Sequence, residues 1–330
     1  MILIPVLALA LALTIDFAFG DPKNKYHPTV WIGKLISKVI LLVRSGSPVL
    51  EKLGGVMVVI CVIVLVSVLI LLLDSGLKYL NSLALNGIST ILVLALTIVA
   101  IGVLLKTTIA IKGMEQHATE IMGALSKNDL DYARIKLSMI VKRSTKKLDR
   151  QHIISATLES ISENIVDGIT GPLFYFAIFG LVGAFIHRTV NTIDSMIGYK
   201  TDLFSNLGWF GANCDKVLNY VPSRLTSFVM ILASIIMAGN WRHSLEVMRR
   251  DGPKTESPNA GYPMATMAGA LDIRFEKLDH YILGDGDSEI TEAHFKLAVS
   301  IMKLTTILFV ILFTIPMIVV LSYVGWWSFV

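Results

Sequence analysis

The chain has 330 residues, of which 54% are hydrophobic and only 16% charged, and its mean hydropathy is +0.68. A soluble domain carries about 25% charged residues, so this composition excludes an ordinary soluble enzyme and marks a membrane protein. The net charge of +4 is small and the basic residues sit in loops, which argues against a nucleic-acid surface; the two cysteines, Cys61 and Cys214, cannot make a disulfide framework or a CxxC metal site.

Residues 1–15 are apolar and uncharged, and Asp16 comes next. No basic residue precedes the run, so it does not read as a cleaved secretory signal. A retained first span over residues 1–19 is expected. Asp16 is costly in lipid and is expected to face protein or water. From Asp21 the chain reads DPKNKYHPTVWIGK. Its prolines frame a turn, and Trp31 suits a membrane interface. His27 has two readings: a substrate ligand or proton carrier, and a structural hydrogen-bonder.

Val56–Leu73 and Ile88–Leu105 are charge-free runs near the length that spans a bilayer. The loops 20–55 and 106–168 are rich in Lys and Arg, whereas 74–87 holds only Asp74 and Lys78. The positive-inside rule puts the first two in the cytoplasm and the third outside. Residues 113–152 read as soluble helix, with Asn128 or Asp129 capping a helix through Ala133 to Val141. Lys142–Arg150, KRSTKKLDR, is strongly basic. Lipid headgroups and a phosphate or carboxylate of a substrate are both open as its partners.

The stretch Glu159–Tyr199 holds two polar clusters around one apolar segment. Residues three or four apart share a helix face. Glu159, Glu163 and Asp167 therefore form an acidic stripe, with Asn164 beside it. His187, Asn191, Asp194 and Ser195 form a second stripe, next to Arg188. Like charges at this spacing repel by a few tenths of a kcal/mol per pair, so a cation is expected to offset the first stripe. A Mg²⁺ held by one or two carboxylates and substrate phosphates fits; a solvated acidic face is the other reading. Between the clusters, Ile169–Ile186 is uncharged but contains Gly171, Pro172, Gly180 and Gly183. Leu225–Gly239 is uncharged and short. Each is either a span or a re-entrant piece, and a third arrangement turns the His187–Tyr199 helix back into a water-filled cavity. The two clusters are expected to meet, since each offers polar groups that the other satisfies.

In NCDKVLNYVPSR, Asp215 and Asn219 lie one turn apart, and Pro222 is expected to end the helix before Arg224. The polar loop 240–303 carries SPNAGYP, a turn-rich stretch before a small-residue helix, Met264–Leu271. Residues 304–325 form a last apolar span, with Trp326 and Trp327 at its interface. The expected fold is all-α: a polytopic integral membrane protein, one membrane-embedded domain over 1–330, with cytosol-facing helical loops. There is no P-loop, GxGxxG, HExxH or nucleophile-elbow serine, and no repeat.

Five segments can now be set in order: DPKNKYHPTVWIGK, ESISENIVDGITGP, HRTVNTIDSMIGY, DKVLNYVPSR and SPNAGYPMATMAGAL. Together they resemble adenosylcobinamide-phosphate synthase, the CbiB/CobD family of cobalamin biosynthesis, from about Asp16 to about Gly284. The resemblance implies a multi-pass ligase of the cell membrane with its active site toward the cytoplasm. Such an enzyme joins adenosylcobyric acid, a corrinoid, to (R)-1-aminopropan-2-yl phosphate or a related amino-alcohol through an amide bond, giving adenosylcobinamide phosphate. It uses ATP and Mg²⁺, sits in the lipid bilayer and binds no nucleic acid. The resemblance implies Glu159, Glu163, Asp167, Asp194 and Asp215 as catalytic groups, with Glu163, Asp167 and Asp194 toward Mg²⁺. It implies amides Asn164, Asn191, Asn219 and Asn259, cations Arg188, Arg224 and Lys254, and His27 and Ser195 as substrate contacts. The competing class is a non-enzymatic membrane transporter or AmpE-like sensor. A transporter site lies near mid-membrane, whereas these motifs fall in loops and at segment ends, which favours the enzyme.

Overall fold

Long Leu, Ile and Val runs without two-residue alternation leave helix as the structure that satisfies every backbone group in lipid. The computed structural model bears this out over the residues it describes, 2–83, 87–198, 204–286 and 289–328. The helices are α1 (Leu3–Phe19), α2 (Pro28–Leu42), α3 (Pro48–Ser82), α4 (Gly87–Lys106), α5 (Ile111–Ser126), α6 (Leu130–Leu137), α7 (Arg150–Ile165), α8 (Gly171–Ile197), α9 (Trp209–Ile236), α10 (Trp241–Asp251), α11 (Pro258–Leu271), α12 (Glu292–Phe309) and α13 (Ile315–Tyr323). One antiparallel hairpin, β1 (Phe275–Lys277) and β2 (Tyr281–Leu283), pairs Phe275 with Leu283 and Lys277 with Tyr281. Among the described residues, five helical stretches are long and apolar enough to cross a membrane: Pro48–Ser82, Gly87–Ser126, Arg150–Ile197, Trp209–Ile236 and Glu292–Tyr323. The chain is an all-α polytopic membrane protein.

Two compact units interleave along the sequence. One comprises Met1–Ala110, Gly171–Leu218 and Leu312–Val330; the other comprises Ile111–Thr170 and Asn219–Ile311.

In the first unit, α3 buries a single stripe, Val58, Val62, Val66 and Ile70, and exposes Val64, Leu65, Leu69 and Leu72 elsewhere. In water that outer face would be a large apolar patch; against acyl chains it matches its solvent. The helix runs past Leu73 to Ser82, where a loop was expected, because Asp74 and Lys78 pair one turn apart at 2.9 Å. Residues 84–86 of that expected loop lie outside the described residues.

Helix α8 is broken. Phe179 and Gly180 leave helical geometry, and Gly180 has φ 61°, a conformation that favours glycine. The rings of Tyr175 and His187, twelve positions apart in sequence, stack with centroids 5.5 Å apart. An unbroken helix would separate them by about 18 Å, so the chain folds back on itself. A Cβ on Gly183 would overlap the Tyr175 carbonyl oxygen, so only glycine permits this turn. The break shows a change of direction at Gly180 within a stretch whose sequence left span, re-entrant piece and return into a water-filled cavity open. The C-terminal end of the returning helix is Ile197; Tyr199 lies outside the described residues. Two carbonyls beside the break are satisfied by indoles: Trp326 Nε1 donates to Ile178 at 2.6 Å and Trp327 Nε1 to Ala177 at 3.2 Å.

Helix α9 corrects one expectation, since it continues through Pro222 rather than ending there. Proline removes the N–H that would reach Leu218, four residues back. The Tyr175 hydroxyl donates to that Leu218 carbonyl at 3.0 Å and stands in for it.

In the second unit, α7 is enclosed: every residue from Ile153 to Ser162 is buried. It packs on α5, α11, α12 and β1. Helix α6 is capped as expected at Asp129, whose side chain accepts from the Tyr132 N–H at 3.0 Å, but it stops at Leu137. Helix α11 begins six residues earlier than expected, at Pro258. A proline at the first helical position gives up an N–H that has no partner there anyway, so SPNAGYP starts the helix instead of preceding it. The last apolar stretch is interrupted by a π turn, Val310–Thr314, just before Pro316.

Candidate functional site

The acidic stripe is not a solvated face. Glu159 is 4% exposed, and its carboxylate accepts from Arg143 Nη2 at 2.8 Å, Ser155 Oγ at 2.9 Å and the Tyr281 hydroxyl at 2.8 Å. Arg143 comes from the basic stretch beyond α6, and Tyr281 from the hairpin. Neither was among the candidates that the sequence picked out. Arg143 carries a signal only in hindsight, as one charge among several in KRSTKKLDR. Burial, the Glu159 charge and the Glu159 hydrogen bond push the Tyr281 hydroxyl far above its ordinary range, with the Glu163 charge adding to them. Tyr281 therefore stays a neutral donor.

Glu163 and Asn164 lie one turn further along α7 and are half-buried. Asn164 Nδ2 donates to the Ser160 carbonyl at 2.9 Å. Asp167 departs from the regular stripe. It lies in a π turn, Val166–Thr170, at the C-terminal end of α7. A π turn inserts one extra residue per turn and rotates the helix beyond it. Asp167 there accepts from Asn219 Nδ2 at 3.0 Å, and Thr170 and Thr226 share a hydrogen bond at 2.6 Å. Asp167 and Asn219 are thus brought together from positions 52 residues apart.

Arg224, Asn259 and Lys254 belong to the same unit. The Arg224 guanidinium carbon lies 3.7 Å from the Tyr220 ring centroid and 4.8 Å from that of Tyr262. Its Nη1 donates to Asn259 Oδ1 at 2.6 Å, Ser223 Oγ at 3.0 Å and the Tyr220 carbonyl at 2.8 Å. Two aromatic faces and a forked set of acceptors hold the planar cation rigidly. Lys254 pairs with Asp251 at 2.6 Å. Asp251 is fully buried and also accepts two bonds from Arg250 and one from the Gly284 N–H. Burial pushes its carboxyl up, but the bonds from Arg250 and Lys254 outweigh that and hold it well below the usual range.

The other predicted residues belong to the first unit. His187 and Asn191 are buried, Arg188 and Asp194 are half-buried, and Ser195 is exposed. Asn191 Nδ2 lies 3.4 Å from Asp215 Oδ1, joining α8 to α9. His27 stands near a charge cluster in which Asp16 and Lys106 are buried and Asp21 is exposed. Its Nε2 is 3.6 Å from Asp21 Oδ1, and Lys106 Nζ reaches both Asp16 at 2.8 Å and Asp21 at 2.5 Å. Asp16 is fully buried, so it faces protein. Burial pushes the Asp21 carboxyl up, yet hydrogen bonds from His27 and Lys106 and the Lys106 charge bring it down to about 2. Lys106 was not among the sequence candidates either; it ends an apolar span and looks like an interfacial anchor.

Among the described residues no three His, Cys, Asp or Glu side chains are gathered closely enough to hold a metal ion. Of the expected Mg²⁺ ligands, Glu163 and Asp167 lie in one unit and Asp194 in the other. Hard carboxylate oxygens still suit Mg²⁺, which commonly takes one or two of them and completes its shell with water and substrate phosphates.

Residues 9–322 match the family described as CobD/Cbib protein. A probable cobalamin biosynthesis protein CobD of Methanothermobacter thermautotrophicus is 36% identical over 304 residues, covering 92% of this chain and 95% of the relative. The cobalamin biosynthesis protein CobD of Dehalococcoides mccartyi is 38% identical, covering 85% of this chain and 87% of its own. A probable counterpart in Thermoplasma volcanium is 37% identical, covering 96% and 99%. No solved structure matches.

Proposed function

The chain belongs to the CobD/CbiB family, and from that premise we propose that it forms the amide bond between adenosylcobyric acid and (R)-1-aminopropan-2-yl phosphate, or a related amino-alcohol, at the expense of ATP. The family match over residues 9–322 carries this reading. The grouping of Glu163, Asp167, Asn219, Arg224 and Asn259 in one unit supports it.

The chemistry divides into two transfers. A carboxylate oxygen of the corrinoid attacks the γ-phosphorus of ATP, a P–O bond breaks, and ADP leaves with an acyl phosphate formed. The amine nitrogen then attacks the acyl carbon, the C–N bond forms, inorganic phosphate departs, and the nitrogen loses a proton. Phosphoryl transfer is mostly positioning and charge neutralisation. We assign the neutralisation to Arg224, whose stacked guanidinium presents a planar donor edge to phosphate or carboxylate oxygens. Glu163 and Asp167 are the groups that would hold Mg²⁺, which when bound supplies charge stabilisation at the phosphates. Asn219 orients Asp167, and Asn164 and Asn259 are the neighbouring amides.

In the other unit, Asp194 and Asp215, with Arg188, Asn191, Ser195 and His27, are the polar groups that the family resemblance implies, and no step is assigned to them. Lys254 acts through Asp251. The Lys/Arg bias of 20–55 and 106–168 assigns the reacting groups to the cytoplasmic side.

The test is turnover in membranes carrying the full chain, supplied with ATP, Mg²⁺, adenosylcobyric acid and the aminopropanol phosphate. Wild type is expected to release ADP and adenosylcobinamide phosphate in equal amounts. Glu163→Gln is expected to abolish both. Undiminished turnover in that variant would remove the assigned site.

A further inference from the structure

Glu159 stands apart from the other carboxylates of its stripe. Three hydrogen bonds, one of them the ion pair with Arg143, already occupy it, and it is almost wholly buried. An ionised carboxylate has about four acceptor sites, so few lone pairs remain for a metal or an amine. Its charge is met by Arg143, so no Mg²⁺ is needed to offset it.

The same partners reach further. Ser155 Oγ accepts from the Glu276 N–H at 3.1 Å, and Arg143 Nη1 donates to the Glu276 carbonyl at 3.4 Å. Arg143, Glu159, Ser155 and Glu276 therefore close a ring that stitches β1 to α7. Tyr281 ties β2 to the same carboxylate. The two strands of the hairpin are fastened to one turn of α7, the turn immediately before Glu163. Glu163 follows Glu159 by one turn on the same helix.

We propose that Arg143, Glu159 and Tyr281 form a clamp that fixes the rotation of α7 and so aims Glu163, making all three positioning residues rather than groups that touch substrate. The assignment of Glu163 as the reacting carboxylate rests on the ligase reading above. The clamp itself rests only on the geometry of the second unit. Its consequence is a division of labour within the stripe: Glu159 is structural and satisfied, Glu163 chemical.

The experiment uses the full chain in lipid nanodiscs and reads two things. The first is steady-state amide formation. Losing a hydrogen bond to a charged group costs about 1.5–3 kcal/mol, or roughly 10- to 150-fold if all of it appears in the transition state. Tyr281→Phe is expected to lower kcat about 10-fold with the KM for ATP unchanged, the pattern of an interaction expressed only in the transition state. Arg143→Met is expected to lose more, and Arg143→Lys to recover most of that loss. Glu159→Gln with Tyr281→Phe is expected to be no worse than Glu159→Gln alone, because both act through one contact.

The second readout is amide hydrogen exchange of Phe275–Leu283 and α7. Exchange is expected to rise there in every clamp variant and to stay unchanged in α3, which would separate a local loosening from failure to fold. If Glu159→Gln matches Glu163→Gln in turnover while hairpin exchange stays at the wild-type level, Glu159 reacts and the clamp is wrong. A raised KM for ATP in Tyr281→Phe would also overturn it. If wild type makes no amide but exchange behaves as expected, the ligase reading fails and the clamp stands.

Discussion

The Lys106 cluster and the Glu159 cluster are both ion networks with a buried centre, yet they are built in opposite senses. Around Lys106, one cation serves two carboxylates, Asp16 and Asp21. Around Glu159, one carboxylate serves three donors, Arg143, Ser155 and Tyr281. Burying a charge is tolerable only where it is paired and hydrogen-bonded. The first network therefore depends chiefly on Lys106, with His27 also facing Asp21, and the second on its single acceptor. The first joins the ends of α1 and α4, where Asp16 and Lys106 are buried and Asp21 reaches the surface. The second joins a hairpin to a helix that carries polar groups along its length, where alternatives are at hand.

The largest expected effect comes from removing the shared cation. Lys106→Met leaves Asp16 buried without its counter-ion, and breaking a buried pair from one side costs about 3–5 kcal/mol. Unfolding in detergent should show a loss of that order, and adding Asp16→Asn should restore part of it. A loss no larger than that of a surface substitution would mean that the network is not ionised as drawn.

Glu159→Gln should cost less, about 1–3 kcal/mol. The amide keeps one neutral acceptor oxygen for Ser155, but Arg143 loses its counter-charge. If Glu159→Gln proves the more harmful of the two to stability, the comparison is inverted. Tyr281→Phe removes one donor of three and should cost about 1.5 kcal/mol by the same unfolding measurement, the low end for a hydrogen bond to a charged group.

Opposite ends of the pH scale sharpen the contrast. Asp21 has its folded pKa lowered from 3.8 to about 2. Its contribution is present above 3.8, where the unfolded chain is also ionised, and is lost as pH falls toward about 2. Tyr281 has its folded pKa raised from 10.0. Its contribution is present below 10.0 and is lost as pH rises beyond it. Unfolding monitored across the acid range should be flatter in Asp21→Asn than in wild type. Across the alkaline range it should be flatter in Tyr281→Phe. The same slopes in wild type and variant would detach these residues from the networks.

The sequence determined the solvent of this chain. Charge-free runs of Leu, Ile and Val have one physical outcome in water and another in lipid, and their lengths and periodicity alone mark α3, α4 and the last helical stretch. Capping chemistry at Asp129 and the order of the five polar segments are equally local, so the class of fold and the family were legible. The tertiary structure decided what each polar residue does. A proline that would end a helix in water is carried through α9 because Tyr175 satisfies the orphaned carbonyl. A span by composition becomes a fold-back at Gly180, with Trp326 and Trp327 covering the carbonyls of the break. A regular acidic stripe becomes three different environments, because Arg143 and Tyr281 arrive from 16 and 122 residues away to claim Glu159, and a π turn hands Asp167 to Asn219. Helix periodicity ranks neighbours along one element only. Which distant donor pairs with a buried charge is settled by the packing that excludes water from around it.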